Sequence, residues 1–166
     1  MILITGAGGF IGGFLCDYFR KKNVAVKAVD IKPLEEWYQV HNDCENIQMD
    51  LKNYDNCFSA INGVKQVYNL ACDMGGMGFI ENNKALCMFS VLINTNLLLS
   101  IKNYNEKNKN KIDRYFYSSS ACVYNATKQN SPDSVALKEE DAYPALPEDG
   151  YGWEKLFSER MCQNFM

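Results

Sequence analysis

Thr5-Gly-Ala-Gly-Gly-Phe-Ile-Gly12 is the stretch that most narrows what this chain can fold into. It follows a short apolar run, Met1 to Ile4, and leads into Ile11, Phe14, Leu15, Tyr18 and Phe19, which recur at helical spacing as far as Lys22. The local reading is strand, glycine turn, helix. Gly6, Gly9 and Gly12 fall at the spacing GxxGxxG, not the commoner GxGxxG. Such glycines let the backbone turn tightly and come close to a pyrophosphate, whose charge then sits at the positive N-terminus of the helix. Gly6, Gly8, Gly9, Phe10, Ile11 and Gly12 are therefore candidates for holding a dinucleotide. A glycine turn alone also describes an ordinary strand-to-helix loop, so the flanking chain has to decide.

The flanking chain supplies the rest of the pattern. Asn23 to Val29 reads as a second apolar strand closed by Asp30. An acid there accepts hydrogen bonds from ribose hydroxyls and repels a 2′-phosphate, which favours NAD over NADP; nearby Lys32 weakens that preference. Ile31 to Glu45 is aperiodic, and its lone His41 reads as a surface residue. Asn46 to Met49 reads as a third strand ending in Asp50-Leu51, the position that borders an adenine in this arrangement. Tyr54, Cys57, Phe58 and Ile61 mark one helix face, and Gln66 to Ala71 a fourth strand whose end, Leu70-Ala71, borders the cofactor crevice. Strands alternating with helices predict an α/β fold, a Rossmann-like doubly wound parallel sheet with helices on both faces.

Asp73-Met-Gly-Gly-Met-Gly-Phe79 comes next, and so many glycines imply close backbone contacts or positive φ. A loop at the carboxyl end of a strand is a common binding element, which makes Gly75 and Met77 substrate candidates. Asn82 to Asn105 reads as one long helix with Leu86, Phe89, Ile93, Leu97 and Ile101 in a stripe, a core face or a dimer face. Lys102 to Asp113 is a solvated connector. Arg114 to Ser119 reads as a buried fifth strand that delivers Ser120, Ala121 and Cys122 to a ligand, with Ser118 and Ser119 as strand-end structure. Ser131 to Asp149, with three prolines, reads as an irregular lid, and Gly150 opens a last helix bearing Tyr151-Gly-Trp-Glu-Lys155. In that helix Lys155 stands one turn from Tyr151. A phenol ionises near pH 10, and a neighbouring ammonium favours the phenolate.

Composition excludes some classes. With 17 basic against 20 acidic residues there is no electrostatic case for a nucleic-acid partner. No apolar run approaches the roughly 20 residues of a membrane helix, and the N-terminus lacks the basic flank and cleavage site of a signal peptide. Seven scattered cysteines without a CxxC pair read as reduced thiols of a cytoplasmic protein. One histidine and no ligand pairing predict no metal site.

TGAGGFIG, the acid ending strand two, SSSACVY and YGWEK together resemble the extended short-chain dehydrogenase/reductase family of nucleotide-sugar epimerases and dehydratases. The resemblance covers essentially all 166 residues, apart from a short insertion around Glu106 to Lys111. It implies an enzyme, an isomerase that uses NAD to oxidise a sugar transiently at C4, so that the neighbouring C–H protons become acidic, before the hydride returns. It implies that Tyr151 is the base for that step and that Lys155 supports it, and that both touch the cofactor, Lys155 at the nicotinamide ribose. Ser120 then binds the reacting oxygen, and Ala121, Cys122 and Tyr151 touch the sugar. The MGGMGF loop and Cys122 narrow the resemblance to the branch that inverts C3 and C5, with Cys122 as proton donor or acceptor opposite a lysine further along the chain. The family also carries a sixth strand and a C-terminal substrate domain. Residues 1–166 are thus expected to form a truncated NAD-binding domain with no second domain, a fragment inactive by itself and homodimeric at full length, with no membrane partner. The alternatives are a 4-epimerase or 4,6-dehydratase of the same family, or a non-catalytic dinucleotide-binding fragment.

Overall fold

The first strand, β1 (Ile2–Thr5), is buried along its whole length, and so is β2 (Val26–Asp30) beside it. Strands covered on both faces read as continuous apolar runs rather than alternating ones. In the computed structural model, which describes residues 1–129 and 136–165, these two strands lie inside a five-stranded sheet. The others are β3 (Glu45–Gln48), β4 (Gln66–Asn69) and β5 (Arg114–Tyr117). The order is β3-β2-β1-β4-β5 and every pairing is parallel, with Ile2 opposite both Val26 and Gln66. The chain reverses its direction of travel across the sheet between β1 and β4, the switch point at which doubly wound sheets bind ligands beyond their strand ends.

The chain divides into two compact units. The first comprises Met1–Cys72 and Leu92–Ser118, the second Asp73–Val91 and Ser119–Met166. In the first unit, one sheet face packs Leu3, Val29 and Val67 against Cys57 of α2 (Tyr54–Ala60) and Ile93 and Leu97 of α5 (Ser90–Lys107). The opposite face packs Ile2, Ile4 and Ala28 against Cys16 of α1 (Phe10–Lys21) and Trp37. Full burial of a Val, Leu or Ile side chain stabilises by about 1.5–3 kcal/mol, so these two layers hold the sheet. The second unit is built from α3 (Met77–Asn82), α4 (Lys84–Met88) and α6 (Asp149–Asn164), together with short 3₁₀ turns at Ala121–Val123 and Glu139–Ala142.

Several sequence expectations change. The single helix expected over Asn82 to Asn105 is two, α4 and α5, which meet at Phe89, while Asn82 ends α3. Asn83 leaves helical geometry at φ −130°, ψ 38°, and its side chain donates to Phe79 O at 2.9 Å, the local competition that makes Asn a poor interior helix residue. The apolar stripe divides at Phe89: Ile93 and Leu97 beyond it are core, while Leu86 and Phe89 are 38% and 55% exposed. By length and composition alone Lys84–Lys107 would suffice to cross a membrane, but its Leu97 and Leu98 lie in the protein interior. None of Gly75, Gly76 and Gly78 has a positive φ; among the described glycines that geometry falls at Gly6 and Gly63. Gly78 instead lies within α3, and only Gly75 is at close quarters, where a Cβ would stand 2.8 Å from Phe79 Cβ. Strand β5 is half open, with Phe116 45% exposed, rather than buried. Phe58, expected on the inner face of α2, is 37% exposed. His41 is half-buried, its Nε2 3.3 Å from Gly13 O. The expected lid over Ser131 to Asp149 falls partly outside the described residues.

Candidate active site

The first unit carries most of the residues expected to hold a dinucleotide, all but Tyr151 and Lys155. After β1 the chain turns at Gly6, whose φ of +68° favours glycine and where a Cβ would lie 2.9 Å from the Leu70 carbonyl. Gly12 lets helix and turn touch, since a Cβ there would stand 2.2 Å from Gly6 O. Gly9 is the N-cap of α1. It has no side chain to cap the helix, and the first turn carries no acid, so the positive end of the helix and its leading N–H groups are left for an anion. Phe10 and Ile11 begin that turn and are 59% and 66% exposed.

Asp30 closes β2 and is aimed back at this turn. Its carboxylate accepts from Gly8 N at 2.9 Å and from Lys32 N at 3.0 Å. Asp50 is exposed, and its carboxylate accepts from Lys52 N at 2.9 Å, shaping the chain toward α2. Leu51, in contrast, sends its side chain into the core at 3% exposure, leaving only backbone for a ligand. Leu70 and Ala71 lie just past β4, and both of their N–H groups donate to Thr5 Oγ1, at 3.2 and 3.3 Å. Thr5 in turn donates to Asn69 Oδ1 at 2.7 Å. Asn69 Nδ2 donates to Tyr115 Oη at 2.9 Å, and Tyr115 Oη to Asn94 Oδ1 at 2.6 Å. This buried network fixes the strand ends beside the turn, and sequence reasoning missed it. Its signal was polar residues at the ends of otherwise apolar strands, where burial demands hydrogen-bond partners.

The second unit carries the residues expected to do chemistry, and it brings several of them together. Helix α6 places Tyr151 and Lys155 one turn apart at 4% and 3% exposure, with Lys155 Nζ 5.5 Å from the centre of the Tyr151 ring. Tyr151 packs with Ile80 and Cys87, and Cys122 joins the same apolar cluster. Tyr151 Oη donates to Met74 Sδ at 3.7 Å, which ties the glycine loop to the phenol. Within that loop Gly75 is half-buried, and Met77, the first residue of α3, is 50% exposed. Ser120 is the N-cap of the Ala121–Val123 turn, its hydroxyl accepting from Cys122 N at 3.2 Å. Ser119 has a structural partner instead, donating to Glu159 of α6.

Gly152 explains why the Tyr-to-Lys motif contains a glycine. A Cβ at this position would stand 2.3 Å from Cys122 O, and that same carbonyl accepts from Glu148 N at 3.0 Å. The start of α6 is thereby seated on the cysteine-bearing turn. The Lys84–Asp149 ion pair at 2.7 Å joins α4 to the same end of α6. The hydrogen bond from Lys84 holds the Asp149 carboxyl below its ordinary range and raises the Lys84 ammonium. Burial pushes the Cys16 and Cys57 thiols up to about 12, and it raises Cys44 and Cys87 as well, so these four thiols stay protonated and behave as small apolar groups.

Residues 2–166 match the model of the NAD dependent epimerase/dehydratase family. The chain is 41% identical over 164 residues to GDP-mannose 3,5-epimerase 1 of Oryza sativa subsp. japonica and 40% identical to GDP-mannose 3,5-epimerase of Arabidopsis thaliana. Each alignment covers 99% of this chain and 42% of the relative, so the chain spans about two fifths of the curated proteins it matches. Among solved structures, MoeE5 in complex with UDP-glucuronic acid and NAD superposes with a TM-score of 0.77 at 26% identity, over 99% of this chain and 48% of that one. The parallel sheet, the glycine turn and the matched length agree: the chain belongs to the NAD dependent epimerase/dehydratase family.

Proposed function

We propose that the chain is the cofactor-binding portion of a nucleotide-sugar epimerase acting on GDP-mannose at C3 and C5, the activity that its plant relatives' names carry. NAD, when bound, supplies the hydride acceptor for transient oxidation at C4. The side-chain-free, acid-free start of α1 suits its pyrophosphate, and the Asp30 carboxylate suits a ribose without a 2′-phosphate. Tyr151 takes the hydroxyl proton of C4 and returns it later, Lys155 supports it, and Ser120 binds the reacting oxygen. Cys122 exchanges protons with the carbons that the 4-ketone acidifies. In the complete protein, a cytoplasmic homodimer on this reading, the sugar has its remaining contacts outside these residues.

The observation that carries the proposal is the packing of Cys122 into the Tyr151 cluster. A 4-epimerase returns hydride to a single carbon and has no use for a second acid/base there. The full-length protein, incubated with GDP-mannose in deuterium oxide, is expected to incorporate deuterium at C3 and C5. Cys122→Ala suppresses that exchange and leaves NAD bound. Undiminished exchange in the variant overturns the role of the thiol, and turnover of UDP-sugars alone favours the 4-epimerase reading.

A further inference from the structure

The residue between the motif's tryptophan and lysine is a buried acid. Glu154 exposes 1% of its side chain and Lys155 exposes 3%, and their charged ends lie 3.9 Å apart. A carboxylate this deep must be paired and hydrogen-bonded to stay charged. Glu154 accepts from Ser158 Oγ at 2.9 Å one turn along α6, and Ser158 itself is fully buried. The ammonium beside it is the one that faces the Tyr151 ring. Other charged or titratable groups on the elements packed here are Asp149, Glu159, Arg160 and Cys162 on α6, Glu81 on α3, Lys84 and Cys87 on α4, Cys122 on the neighbouring turn and Asp73 in the glycine loop. Lys84 is engaged with Asp149 at 2.7 Å.

We infer that Glu154 is a positioning residue for the Tyr151–Lys155 pair: held by Ser158, its carboxylate orients the Lys155 ammonium and offsets part of its charge at the phenol. This rests on the assignment of Tyr151 as the base. A negative charge near the pair favours the protonated phenol, so removing it makes the base available at lower pH.

Glu154→Gln in the full-length protein loaded with NAD is expected to move the acid limb of the kcat/KM profile down by about 1 pH unit, the lower end of what a nearby charge does. Glu154→Asp keeps the charge but retracts it from Ser158, and it is expected to lower kcat several-fold with the limb in place. Equal limb positions in wild type and Glu154→Gln overturn the inference, as do equal displacements in the Gln and Asp variants, which mark a packing role only. If the wild-type protein turns over no nucleotide sugar, the functional reading fails instead. In that case [ζ-¹³C]tyrosine NMR, with Tyr151→Phe for assignment, follows the phenol directly. A lower titration midpoint in Glu154→Gln supports the inference, and an unmoved one overturns it.

Discussion

Gly152 and Tyr151 are adjacent and carry different burdens. On the proposed function the hydroxyl of Tyr151 is a chemical requirement, so Tyr151→Phe should reduce turnover of the full-length protein by about 10²–10⁴-fold, the usual worth of a positioned acid/base group, with melting temperature almost unchanged. Gly152 is a spatial requirement. In Gly152→Ala the new methyl meets Cys122 O, a backbone atom that cannot rotate away. The expected cost is about 1–3 kcal/mol of stability, read as a lower melting temperature together with reduced turnover. Both residues lie inside a motif visible in the sequence. The tyrosine announces itself through its lysine partner, whereas the need for the glycine depends on a carbonyl thirty positions away by sequence (Cys122 to Gly152) and could not be read from spacing.

At the scale of elements, the strands and helices before residue 72 were largely legible, because strand-period and helix-period runs alternate there with clear breakers. The stretch from Asn82 to Asn105 misled, since its apolar spacing runs on through Phe89, where α4 gives way to α5, and Asn82 belongs to the preceding α3. The short α4 that results is held to α6 by Lys84–Asp149. Asp149 has its folded-state carboxyl held low, so this link is present above the ordinary carboxylate range and is lost as pH falls through the lowered value. Comparing wild type with Asp149→Asn in thermal melts should show the wild type ahead at neutral pH and the difference closing below about pH 4. Asn also tolerates the left-handed backbone that Asp149 adopts at φ +51°, so the comparison isolates charge.

Over the whole molecule, the glycine turn, Asp30, Asp50, Leu51, Leu70 and Ala71 fall in one compact unit, and Ser120, Cys122, Tyr151 and Lys155 fall in the other. The first set predicts that the 166-residue polypeptide binds NAD by itself. At a hundred times its Kd, NAD should stabilise the fold by about 2.7 kcal/mol, and NADP should be far weaker against Asp30; calorimetry and thermal shift measure both. Gly12→Ala should abolish the effect, since its methyl would displace the turn. Parallel crossovers explain why the glycine turn, Asp30 and Ala71 were recognisable together: each follows a strand, and parallel strands put all such ends on one edge of the sheet. The contact of Gly152 with the Cys122 carbonyl has a consequence for anyone recombining these enzymes. Grafting a different Ser-to-Tyr segment onto this scaffold will succeed only where donor and host agree on that backbone seat. A chimera library should therefore move residues 120–124 and 148–152 together as one cassette.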